Sequence, residues 1–156
     1  PKYLEHSLAS WNFFQSLESQ NAKQFTQRFQ AMYGVHRVTN DPAEAAYDMV
    51  HIWALAAVKA KSVDPVLVRE MLPGIVFEGP QGRVEVQPNH HLKKRSLIGK
   101  IQADGQFKIV HDGGLIAPEA WSQWLPENAG YSCDWTSDRP DAGRFKTSTN
   151  VNTEEG

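Results

Sequence analysis

At Pro73-Gly74 the apolar residues stop recurring at three- and four-residue steps and begin to recur at every second residue. No other feature constrains the fold as much, because the first spacing lines one face of a helix and the second lines one face of a strand. The run Phe77-Glu78-Gly79-Pro80-Gln81-Gly82-Arg83-Val84-Glu85-Val86-Gln87-Pro88-Asn89-His90-His91 is broken by glycine and proline into short alternating pieces. Ile98-Gly99-Lys100-Ile101-Gln102-Ala103-Asp104-Gly105-Gln106-Phe107 continues the pattern. Strands are expected over 75–77, 83–86, 97–102 and 107–111. Ala103 to Gln106 forms a hairpin turn, since Asp-Gly tolerates the positive φ that such turns need. The outcome is a small antiparallel meander.

The front half reads differently. Leu8 to Phe14 is bulky enough for a buried strand, ended by the turn formers Gln15 and Ser16. From Ser19, the residues Ala22, Phe25, Phe29 and Met32 mark one face of an amphipathic helix that Gly34 ends in the left-handed conformation. Asp41 as N-cap, Pro42 behind it and Glu44 three residues on read as a capping box. The helix body from Ala45 to Ala60 is apolar around most of its circumference, which calls for burial between other elements. Asp64-Pro65 starts a shorter helix through Val68 and Leu72. Beyond Pro118 turn formers surround Trp121, Trp124, Tyr131 and Trp135, and residues 147–156 are polar enough to be disordered.

Composition excludes several function classes. The balance of 16 basic and 18 acidic residues, with no basic cluster interleaved with aromatics, makes nucleic acid no partner. Lys93-Lys94-Arg95 reads as a solvated turn. A single cysteine, Cys133, allows neither an internal disulfide nor a thiolate zinc site. No apolar run is long enough to insert in a membrane. His90-His91 invites a metal reading, but strand neighbours point to opposite faces, so a structural turn with one imidazole bonded to backbone is expected and no metal is assigned. His51 reads as a satisfied core histidine. Asp41, Glu44 and Asp64 are accounted for by capping and Asp104 by its turn, no catalytic motif is present, and neither a catalytic residue nor a cofactor is assigned.

Ser10-Trp11-Asn12-Phe13-Phe14-Gln15-Ser16, Asp41-Pro42-Ala43-Glu44-Ala45-Ala46-Tyr47 and the 77–107 block together resemble the C-terminal part of bacterial solute-binding proteins for urea and short-chain amides. The tail from Trp124 to Glu127 and from Gly130 to Trp135 is similar to urea-transporter binding proteins. The resemblance implies an α/β chain: the C-terminal part of a bilobal type I periplasmic-binding fold, with helices followed by a small antiparallel strand meander. Residues 1–125 are then the end of a ligand-binding domain whose principal contacts lie upstream of Pro1, and 126–156 an irregular tail.

That resemblance further implies a non-enzymatic, periplasmic binding component of an ATP-binding-cassette importer, with a small neutral solute and a membrane permease as partners. The family's cytosolic branch, an amide sensor controlling transcription antitermination, is the alternative. Bilobal binders hold the solute near the carboxyl ends of sheet strands, within aromatic walls and a few polar groups. Trp11, Asn12, Phe13, Gln15 and Ser16 are the cleft-proximal candidates in this segment. The aromatic members among them serve either as cleft wall or as core.

Overall fold

The computed structural model describes residues 3–119, 122 and 124–128, with the backbone of 131–133 and 144–146. In chain order the elements are β1 (Leu8–Trp11), α1 (Gln20–Tyr33), α2 (Asp41–Ala60), α3 (Pro65–Met71), β2 (Val76–Gly79), β3 (Gly82–Val86), β4 (Leu92–Ile101), β5 (Phe107–Ile116), β6 (Tyr131–Cys133) and β7 (Arg144–Lys146). They fall into two compact units, Pro1–Ala117 and Pro118–Gly156.

In the first unit β2, β3, β4 and β5 form the expected antiparallel meander, and β1 joins it as a fifth strand. β4 is the organiser. Its first residues pair with β3, while Leu97 to Lys100 are flanked by β1 (Leu8↔Lys100) and by β5 (Ile101↔Phe107). β4 and β5 are longer than alternation alone implies, and Lys93-Lys94-Arg95 lies inside β4 rather than in a turn. Arg95 is held there by a two-pronged ion pair with Asp112 across the ladder, which keeps a basic run compatible with a strand. The β4–β5 hairpin turns at Gly105, whose φ is 84° and whose N–H donates to the Gln102 carbonyl.

His90 and His91 occupy the β3–β4 turn, with His90 at φ 62°. The turn is closed by backbone bonds and by the Asn89 carboxamide accepting from His91 N–H; among the described residues neither imidazole bonds to backbone, contrary to expectation. Among the described residues no three metal-ligating side chains converge.

Two clusters form the core. Phe13, Phe14, Leu17, Ala22, Phe25 and Leu97 pack β1's exit and α1 onto the sheet, while Ile52, Val84 and Val86 join α2 to β3. Gly99 permits the first: a Cβ there would meet the Phe14 ring at 2.7 Å. His51 is not the core histidine expected: it is only partly buried, stacks on Phe77 at 5.0 Å and packs against the Tyr47 ring at 4.4 Å.

Several local expectations are corrected. β1 is a strand but not a buried one, since Leu8 is 65% and Trp11 45% exposed. α1 buries only its first half, with Met32 exposed, and Gly34 has positive φ but an extended ψ of 144°. The N-cap of α2 is Asn40, whose carboxamide accepts from Ala43 N–H. α2 itself buries only Glu44, Asp48, Ile52 and Ala56, leaving Met49, Val50, Trp53, Leu55 and Val58 exposed. α3 matches its reading, with Asp64 accepting from Val66 and Leu67 N–H.

The second unit has a 3-10 turn at Pro126–Asn128 and an antiparallel ladder pairing β6 with β7 (Ser132↔Phe145). A short ladder thus stands within the segment read as irregular, and residues 147–156, read as disordered, lie outside the described residues. Among the described residues no helix is long and apolar enough to cross a membrane.

Candidate functional site

The loop leaving β1, the segment entering α2 and the β4–β5 turn meet around a cavity of about 300 Å³. Trp11, Phe13, Phe14, Val38, Pro42 and Phe107 supply apolar wall; Gln15, Thr39, Asn40, Asp41 and Gln106 supply polar groups. Of the five candidates from sequence, Trp11, Phe13 and Gln15 line it, whereas Asn12 and Ser16 do not. Those two are occupied elsewhere. The Asn12 carboxamide donates to the Arg95 carbonyl, and the Ser16 hydroxyl donates to the Phe107 carbonyl, so both tie the loop to the sheet.

Asp41 explains why the loop is ordered. Its Oδ1 accepts from the backbone N–H of both Asn12 and Phe13 at 2.8 Å, a role opened to it because Asn40, not Asp41, caps α2. Gln15 Oε1 likewise accepts from Thr39 N–H at 2.8 Å and from the Thr39 hydroxyl at 3.1 Å. Each clamp uses only part of its side chain. Asp41 Oδ2 and the Gln15 amide nitrogen carry no hydrogen bond among the described residues, and no Lys, Arg or His lines the cavity. The chamber thus offers an acceptor at Asp41 and a donor at Gln15, with no lining cation to offset the carboxylate.

A second group is fully buried. Glu44 and Asp48, one turn apart on α2, both have no exposure and face Gln81 in the β2–β3 turn. Gln81 Nε2 donates to both Glu44 oxygens at 3.1 to 3.2 Å and to Asp48 Oδ2 at 3.2 Å, and its backbone N–H reaches Glu44 Oε1 at 3.3 Å. Burial, then the neighbouring Asp48 carboxylate, pushes Glu44 up to about 8; burial also raises Asp48. Glu44 is therefore not the second half of a capping box. The available signal was its spacing, two carboxylates four residues apart in an otherwise apolar helix, which share a face that the sheet covers.

Comparisons with known proteins bear on what this arrangement belongs to. The solute-binding protein of a Rhodopseudomonas palustris transporter, solved with benzoate, is 16% identical with a TM-score of 0.65 over 75% of this chain and 32% of that one. A leucine-binding protein from Thermotoga maritima is 19% identical with a TM-score of 0.59, covering 74% and 32%. A branched-chain amino acid binding protein from Streptococcus pneumoniae, solved with isoleucine, is 24% identical with a TM-score of 0.55, covering 71% and 30%. A curated relative from Geobacillus stearothermophilus, called limonene hydroxylase, is 30% identical over 109 residues, 70% of this chain and 20% of that protein. The chain thus spans about a third of the length of these structures and a fifth of the curated relative. Its helices and sheet match part of the type I periplasmic-binding fold. A family profile described as a periplasmic binding protein domain matches residues 1–127, and the chain belongs to that family.

Proposed function

We propose that this chain is the C-terminal part of the solute-binding component of an ATP-binding-cassette importer, working in the periplasm and delivering urea or a short-chain amide to a membrane permease. The observation that carries the solute class is the cavity beside Trp11, which combines aromatic wall, an underused carboxylate at Asp41, an underused amide at Gln15 and no cationic lining. A urea N–H pair matches Asp41 Oδ2 and its carbonyl matches the Gln15 amide nitrogen. Trp11, half exposed, is the wall residue able to close over a flat solute. Family membership and the resemblance of the 77–107 block support the transport role. Ligand closes two lobes only to the extent that it contacts both, so this cavity contributes one face and the upstream lobe the other.

No enzymatic role is proposed. The hydroxylase name belongs to a protein of which this chain covers one fifth. Calorimetry of the full-length protein with urea, acetamide, benzoate and leucine tests the reading. Heat with urea or acetamide and none with benzoate is expected; saturable binding of benzoate or leucine with urea silent would sink it. Turnover of bound urea or amide would move the protein to the enzymes.

A further inference from the structure

The buried trio of Glu44, Asp48 and Gln81 is short of hydrogens. Its acceptors are four carboxylate oxygens and Gln81 Oε1, whereas the donors facing them are the Gln81 amide nitrogen and the Gln81 backbone N–H. Asp48 Oδ1 and Gln81 Oε1 are left buried with no hydrogen-bond partner among the described residues. Rotating the Gln81 amide exchanges its ends without adding a hydrogen. Asp48 Oδ1 packs directly against Gly79, so closely that a Cβ there would stand 2.4 Å from it. Two carboxylates with no exposure to bulk solvent need a compensating positive charge or a proton. Lys94 of β4 and His51 of α2 act on Asp48 from a distance, and Lys94 on Glu44, but neither forms an ion pair with them among the described residues.

We propose that Glu44 and Asp48 hold a shared proton in the folded protein, and that this proton is a latch fastening the Gly79–Gly82 turn to α2, released as the surroundings become alkaline. The proton supplies the missing donor and removes one of two like charges that face the same amide. Its loss leaves two buried negative charges on a helix with only Gln81 and the distant Lys94 ammonium to balance them. The cheapest relief is to let the turn lift and water enter. Gly79 and Pro80 of that turn, with Glu78 of β2 beside them, also wall a cavity of about 150 Å³ with His51 and Phe77, so lifting the turn opens this chamber as well.

The sign follows from linkage. Glu44 keeps its proton in the folded state at pH values where the unfolded chain has lost it, so stability is full below its ordinary value of 4.5 and falls as pH rises through about 8. In full-length protein, the unfolding constant attributable to this site rises up to about tenfold per pH unit across that window. Glu44→Gln, which keeps the shape and cannot ionise, flattens this dependence, and Asp48→Asn reduces it. Infrared spectroscopy of the unaltered protein near neutral pH reads the proton directly, as the carbonyl stretch of a buried carboxylic acid that disappears at alkaline pH. Absence of that band at neutral pH overturns the proposal even if both variants fail to fold. A Glu44→Gln protein as pH-sensitive as the parent overturns it too.

Discussion

Asp41 and Asn40 divide between them what one capping residue does elsewhere, and the division has measurable consequences. Asn40 accepts from Ala43 N–H at the exposed start of α2, whereas Asp41 holds the half-buried N–H groups of Asn12 and Phe13. Asn40→Ala is expected to cost about 1 kcal/mol, a normal cap loss. Asp41→Ala is expected to cost more, about 2 to 3 kcal/mol, because two partly buried donors lose a charged acceptor. Thermal or guanidinium melts order the two; Asn40→Ala being the more damaging would mean the clamp is idle. Asp41→Asn, which retains an acceptor oxygen for both N–H groups, should preserve stability while weakening urea binding. Gly79 and Gly99 are constrained by space rather than φ. Alanine at either meets the Asp48 carboxylate or the Phe14 ring, with an expected cost of about 1 to 3 kcal/mol.

α2 is the element on which the molecule turns. Its covered stripe, Glu44, Asp48, Ile52 and Ala56, follows the four-residue period, so the two acids share the face that Gln81, Val84 and Val86 cover. The helix was legible in the sequence because Pro42 and a long run of helix formers announce it locally. The acids' burial was not, since it depends on a turn more than thirty residues away in the chain. β4–β5 shows the converse, an exposed ion pair legible as basic residues but not as a pair. Arg95, by hydrogen bond and charge, lowers Asp112 to about 2. Its folded value lies below the ordinary one, so this contribution is present above about pH 4 and lost as pH falls through about 2. Both side chains are about a third or more exposed, so Asp112→Asn should cost no more than about 1 kcal/mol at neutral pH. A larger loss in a denaturation curve would show that the pair also sets the β4–β5 register.

Across the whole molecule the apolar faces outnumber the partners that cover them. Val50, Trp53 and Val58 on α2 and Val66 and Leu67 on α3 are all exposed, more apolar side chain than two adjacent helices of a soluble monomer usually leave uncovered. The isolated 156-residue chain is therefore expected to self-associate or melt broadly. Sedimentation and calorimetry check this, and a monomer with a sharp cooperative transition would contradict it. Trp53→Lys together with Val58→Lys should shift the chain toward monomer without touching either core cluster.

Local chemistry was enough to mark α1, α2, α3 and the meander, because caps, prolines, Asp-Gly and apolar period act within a few residues of where they stand. The five candidates drawn from the resemblance divide in the structure: Trp11, Phe13 and Gln15 line a cavity, while Asn12 and Ser16 tie their loop to the sheet. Tertiary structure alone decided that Asn40 caps while Asp41 clamps, that β1 stays half exposed at the sheet's side, and that Glu44 and Asp48 are sealed beneath Gln81. These outcomes turn on contacts between distant segments. A carboxylate's role depends on which donors and how much water the folded chain brings to it, and residue identity does not carry that information.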